Sequence, residues 1–146
     1  MLKYKLTNPD IISALAAAGH GAKVLIADSN YPASTKIGEK AQLVYLNVTA
    51  GIPSAMEVLK VLLDAIEVES AQVMQPDDGS EPTIFKEFRN ILPNKIQIEK
   101  LARNEFYNAV YSPDTCLVIQ TGEQRLYANL LITIGAIALN EKENNR

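Results

Sequence analysis

Apolar positions along this chain follow two periods, and the switches between them mark out its elements. Ile11, Ile12, Leu15 and Ala16 share one helical face. Ahead of them Thr7 and Asn8 are both N-cap residues, Pro9 suits a first turn, and Asp10 is spaced for a capping box with Thr7. Gly19 stands where a left-handed residue commonly ends a helix. "KVLIAD", residues 23–28, is a short continuous apolar run, the pattern of a strand buried on both faces, and Asp28 falls at its carboxyl end. "SNYPAS" is turn chemistry, with Pro32 holding Tyr31 extended.

Further along, "AQLVYLNV" reads as a second strand. "PSAMEVLKVLLDAI" carries Leu59, Leu62, Leu63 and Ile66 at the spacing of one helical face. "AQVMQ" predicts a strand, "DDGSEP" a loop, and "PTIFKEFRNIL" a helix with Phe85, Phe88 and Leu92 inward and Pro93 closing it. "IQIEKL" predicts a short strand, "RNEFYNAVY" a short helix, and "TCLVIQTG" and "YANLLITIG" two strands. No internal repeat or low-complexity tract interrupts the series, and the polar tail at 141–146 is set apart from a domain over 1–140. The alternation predicts a single α/β domain whose mixed, mostly parallel sheet is covered by helices. In such sheets ligands gather outside the carboxyl ends of strands, where Asp28, Gln75 and Thr121 to Glu123 are expected.

Composition narrows the chemistry. With 146 residues, 47% hydrophobic and 21% charged, the chain fits one ordinary globular domain. A formal charge of −3 gives no basic field for phosphate backbones, so nucleic acid is not an expected partner. The opening "MLKYKLTNPD" lacks the apolar core of a signal peptide and no stretch approaches bilayer length, so a cytoplasmic location without membrane contact is expected. The single cysteine, Cys116, lies in the apolar run "TCLVIQ" and is expected as a buried, inert thiol.

The only histidine, His20, lies between Gly19 and Gly21 in "GHGAK". A phosphate loop needs strand, glycine-rich loop, then helix, with Ser or Thr after the lysine. Here helix precedes strand and Val24 follows Lys23. The dinucleotide fingerprint fails for the same reason. One Cys and one His cannot make the usual four-ligand zinc site, so no metal is expected. His20 is then either a turn residue capping the preceding helix or a chemical group, with flanking glycines that let a ligand approach closely. Asp28 is either an Asx turn into "SNYP" or a group sharing a site with His20. "TGEQRLYAN" is either a hairpin connection or a functional segment, with Tyr127 and Asn129 alternating onto one strand face.

Three segments taken together, "GHGAKVLIADSNYP", "RNEFY" at 103–107 and "TGEQRLYANLLITIG", resemble in order and spacing the ribose pyranase and L-fucose mutarotase family. The resemblance spans nearly the whole chain and implies a three-layer α/β/α fold. It implies His20 as the acid/base residue, with Asp28, Tyr127, Ala128 and Asn129 binding sugar. Arg103 matches the arginine of the fucose branch, where the ribose branch carries histidine. The chain has no second histidine, which points towards L-fucose or a related sugar rather than ribose. The resemblance also implies an assembly of at least two copies and as many as ten, with pockets at or near subunit contacts.

Exchanging sugar anomers requires a proton to leave the anomeric hydroxyl while another reaches the ring oxygen, with reclosure on the opposite carbonyl face. No redox step occurs and no cofactor is expected. A side chain of pKa near 7 suits both transfers, which fits histidine. Asp28 would orient the imidazole or accept a hydroxyl; Arg103, Tyr127 and Asn129 would hydrogen-bond hydroxyls. Tyr107 is either an apolar wall of the pocket or helix core. Glu123 is a candidate second acid or base.

Overall fold

The continuous apolar run after Lys23 becomes the middle of a sheet, and everything around it is placed by that burial. A computed structural model describes residues 1–139. The tail expected at 141–146 lies outside the described residues. Among the described residues the elements are α1 (Pro9–Ala17), β1 (Lys23–Ala27), β2 (Gln42–Tyr45), α2 (Ala55–Leu63), β3 (Val68–Met74), α3 (Thr83–Ile91), β4 (Ile98–Leu101), α4 (Arg103–Val110), β5 (Thr115–Gln120) and β6 (Leu130–Ile134). The strands make one sheet in the order β2-β5-β1-β6-β3-β4. Strands β2 and β5, β5 and β1, and β3 and β4 pair in parallel, while β6 runs antiparallel to β1 and β3.

Successive strand residues point to opposite faces, and helices cover both. On one face Val24, Ile26, Leu117, Ile119, Leu130 and Ile132 meet Ile11 of α1, Leu59 and Leu62 of α2, and Phe85 and Phe88 of α3. On the other, Leu25, Ala27, Val118 and Leu131 meet Phe106 and Val110 of α4 and the Tyr31–Ala33 turn. Fully burying each large side chain of this kind contributes about 1.5–3 kcal/mol. Helix α2 starts on a complete capping box between Ser54 and Glu57. Among the described residues no helix is long and apolar enough to cross a membrane.

Four local readings are settled differently from their simplest form in the sequence. Asn8, not Thr7, caps α1, its Oδ1 accepting from the N–H groups of Asp10 and Ile11 at 3.0 Å each. The helix then leaves through an extended Ala18, and the left-handed residue is Gly21 (φ 85°) rather than Gly19. Sheet pairing decides this, because the Gly21 N–H donates to the carbonyl of Ile134 at 2.9 Å. In the last segment only Leu130–Ile134 is strand, and Tyr127 takes φ 61° in an irregular loop. Nor is 121–129 a hairpin connection: β5 and β6 flank β1 on opposite sides, so the loop crosses over the carboxyl end of β1.

Candidate active site

That crossing is what builds the site. Strands β1, β3 and β4 all end at the same edge of the sheet where β6 begins. Asp28 follows β1, Met74 ends β3, Arg103 opens α4 directly after β4, and the 121–129 loop lies over them. A cavity of about 270 Å³ opens there, lined by Asp28, Asn30, Tyr31, Pro32, Met74, Arg103, Tyr107, Leu126, Tyr127 and Asn129. It is smaller than the roughly 300–1,000 Å³ of drug-sized pockets, and so suits a small ligand.

Asp28 is the floor of this cavity and is only 2% exposed. One carboxylate oxygen accepts from the N–H groups of Asn30 and Tyr31, both at 2.9 Å, which is the Asx turn expected of "DSNY". The other accepts from the Ala128 N–H at 3.1 Å and the Asn129 amide at 3.0 Å. Asn129 answers by accepting from the Asp28 N–H at 2.8 Å. Burial pushes the Asp28 carboxyl above its ordinary range, against the pull of these donors. Asp28 therefore stitches the first turn to the crossing loop, and the single aspartate holds the two segments that carry Tyr31 and Tyr127.

The wall is more open. Arg103 Nη2 donates to the Tyr127 hydroxyl at 3.1 Å, and the guanidinium lies 3.5 Å from Asp77. Tyr127 and Asp77 together raise the guanidinium further above its ordinary value, so it stays charged. Tyr107 packs against Tyr31 with ring centroids 5.8 Å apart, leaving it part wall and part core. Ala128 is buried and reaches the site through its backbone N–H alone.

His20 is elsewhere. It precedes the amino end of β1, whereas Asp28 follows the carboxyl end, and the five-residue strand between them spans about 15 Å. Within one chain His20 and Asp28 therefore do not share a site. At its own end of the sheet the His20 side chain is 62% exposed, and its Nε2 lies 2.7 Å from Glu69 Oε2 at the start of β3. Donation from Nε2–H to that carboxylate leaves Nδ1 as the acceptor of the neutral ring.

Glu123, the candidate second acid or base, does not line the cavity. It is buried, both oxygens are taken by Arg125, and one of them also accepts from the Ala55 N–H at 3.3 Å. Arg125 holds its carboxyl below the ordinary range, so it carries no proton near neutrality. The Cys116 thiol is half-buried, pushed up by that burial, and approaches the Lys23 carbonyl at 3.4 Å. Sequence reasoning missed Glu69, which is 49 residues from His20 and joins it only through the pairing of β6 with β1 and β3. It also missed Asn30, Met74 and Asp77. The polar doublet at 77–78 follows a predicted strand and was a signal that could have been used.

Comparisons with known proteins bear on the family and the fold. Residues 1–137 match the RbsD / FucU transport protein family. A fucose mutarotase of Homo sapiens is 36% identical over 145 residues, covering 92% of each chain. A D-ribose pyranase of Pseudothermotoga lettingae is 29% identical over 143 residues, covering 98% of each. Among solved structures, Bacillus subtilis RbsD complexed with D-ribose superposes with TM-score 0.81 at 28% identity, covering 94% of this chain and 100% of that one. The fucose mutarotase of Streptococcus pneumoniae in complex with L-fucose gives TM-score 0.79 at 26% identity, with the same coverage of 94% and 100%. With the match running from the first residue to beyond the last strand, the chain belongs to the RbsD / FucU transport protein family.

Proposed function

We propose that this protein is a monosaccharide mutarotase that exchanges the anomers or ring forms of L-fucose or a related sugar. The observation that carries the reading is the small cavity at the strand ends, where an ion-paired arginine and a tyrosine hydroxyl stand over a rigid carboxylate-amide floor. Such a set recognises a neutral polyhydroxylated ring: Arg103 supplies a fixed fork of donors, and Tyr127 both donates and accepts. Asn129, already committed to Asp28, has one amide hydrogen left for a hydroxyl. Met74 and Tyr107 offer apolar surface to the carbon face of the sugar.

His20 is the proton shuttle in this reading. It takes the proton of the anomeric hydroxyl and delivers it to the ring oxygen as the bond from the anomeric carbon to that oxygen breaks, and after the open aldehyde turns its other face the same transfers run in reverse to reclose the ring. Because His20 and the cavity lie at opposite ends of β1, a second copy of the chain has to bring its own His20 to the cavity. The family resemblance implies such an assembly, a homo-oligomer of up to ten copies, and the proposed location is the cytoplasm. Arg103 and the 36% identity to a fucose mutarotase favour L-fucose over ribose. Ribose pyranase activity is the second reading, supported by the 29% identity to a D-ribose pyranase.

Saturation-transfer NMR over fucose, ribose, galactose and glucose tests the activity. Exchange between anomer resonances is expected first for fucose; line broadening without exchange for every sugar would leave only a sugar-binding protein. Mixing and reassembling His20→Asn with Arg103→Ala tests the shared site. Each variant alone is impaired, and the mixture regains exchange because some cavities then combine an intact Arg103 with an intact His20. A mixture no more active than its parts would place both residues in one chain's site.

A further inference from the structure

The loop between β5 and β6 makes no ladder of its own, yet it holds a bulky residue in a backbone region that such residues rarely adopt. Tyr127 has φ 61°, and a conformation of this kind persists only where its surroundings over-determine it. On the carboxyl side the hold is plain, since Ala128 and Asn129 are bonded to Asp28. On the amino side Gln124 is exposed and Leu126 is 64% exposed. Between them stands Arg125. Its Nε and Nη2 donate to the two oxygens of buried Glu123 at 3.0 and 3.1 Å, and its Nη1 donates to both oxygens of Glu87 on α3 at 3.0 Å. Glu123 is fixed in turn: its carboxylate accepts from the Ala55 N–H at the start of α2, and its carbonyl accepts from the Ser29 N–H and hydroxyl at 2.8 and 2.7 Å.

We propose that Arg125 is a positioning residue for sugar binding. Its planar fork, gripped by Glu123 within and Glu87 outside, sets the left-handed turn two residues on and so the place of the Tyr127 hydroxyl against Arg103. Arg125 does not line the cavity, so it acts only through Tyr127, and the inference rests on the reading of Tyr127 as a sugar-binding group. Lysine keeps the charge and cannot reproduce the fork, because it offers one point of donation in place of three directed ones. The backbone carbonyl of Glu123 also holds Ser29, the neighbour of Asp28, so both edges of the cavity are referred to one buried residue.

The test is a double-mutant cycle read by anomer exchange and by thermal melting. Arg125→Lys is expected to raise KM for the preferred sugar about three- to tenfold while kcat changes less, and Tyr127→Phe to raise KM as well. In the Tyr127→Phe background Arg125→Lys is then expected to add less than about twofold, since the group it positions is gone. Glu87→Gln, at a side chain 44% exposed, loosens the outer grip without unpairing Glu123 and is expected to act in the same direction. It carries the test if Arg125→Lys fails to fold. A lowered melting temperature with KM unchanged, or effects of Arg125→Lys and Tyr127→Phe that multiply in full, overturns the positioning role alone. A Tyr127→Phe variant with unchanged KM overturns the reading of Tyr127 and the clamp with it.

Discussion

At the carboxyl end of β1, Asp28 is 2% exposed and its carboxylate accepts four hydrogen bonds from the described residues; at the amino end, His20 has one partner among them and a side chain 62% exposed. The contrast fits the roles proposed for the two ends. A floor that orients hydroxyls gains from groups already fixed before the ligand arrives, because immobilising them on binding costs affinity. A proton shuttle must reach both the anomeric hydroxyl and the ring oxygen, and a side chain fixed by four bonds could not. In the proposed reading the exposed end carries chemistry at little cost to the fold, and the buried end carries fold and binding together.

The sharpest way to break this contrast is to remove both residues separately. His20→Asn is expected to lower anomer exchange by about 10²–10⁴, the range for losing a positioned acid/base group. Its stability should stay within about 0.5 kcal/mol of wild type, as for an exposed site with one partner. Exchange by NMR and melting in parallel check both halves; near wild-type exchange in the folded variant removes His20 from the mechanism. Asp28→Ala is expected to do the reverse in stability. It strands the buried Ala128 N–H and Asn129 amide and the part-buried Asn30 N–H, while the Tyr31 N–H keeps its contact with the Asp28 carbonyl at 3.2 Å; unpaired buried donors cost about 1–3 kcal/mol each, without simple additivity. A loss of about 3 kcal/mol or more in denaturant titration is expected, with sugar affinity falling alongside.

The buried end was the more legible of the two in the sequence. "KVLIAD" announces a strand with an aspartate at its tip and "TGEQRLYAN" an unusually polar segment, so periodicity and turn chemistry marked both as candidates, and the family resemblance implied Asp28, Tyr127 and Asn129 as sugar-binding. The sheet was legible for the same reason, since β1 and β5 read as apolar runs alternating with helical faces. What stayed hidden depends on strand order. Nothing local says that β6 inserts between β1 and β3, and that insertion both carries the loop over Asp28 and brings Glu69 to His20. The left-handed Tyr127 was hidden too, because the alternation of Tyr127 and Asn129 imitates a strand that the bonds to Asp28 forbid.

Arg103 lies between the two extremes, charged and half-exposed, with one bond to Tyr127 and a longer contact to Asp77. Arg103→Ala is expected to raise KM about tenfold and to lower kcat less, as for contacts made in both ground and transition states, at hydrogen bonds from a charged donor. Unchanged KM for fucose would put Arg103 outside the working pocket and reopen the preference for ribose.

The smallest expected effect is the pH dependence of the buried end. Asp28 titrates above its ordinary value of 3.8 because burial outweighs the donors around it. Between that ordinary value and the raised one, the folded chain keeps a proton that the unfolded chain has released. The stability this gives is complete below pH 3.8 and is lost as pH rises through the folded value. Glu123 works in the opposite sense, since Arg125 lowers its pKa and its contribution is lost only as pH falls through that lowered value. Asp28→Asn removes the first titration and leaves the second. The melting-temperature advantage of wild type over Asp28→Asn should therefore be largest in acid and shrink towards neutrality, by a small amount because burial and hydrogen bonding pull against each other at one carboxyl. An advantage that grows towards neutrality would mean that the four donors outweigh burial. Asp28 would then be a charge held for the ligand as firmly as for the fold.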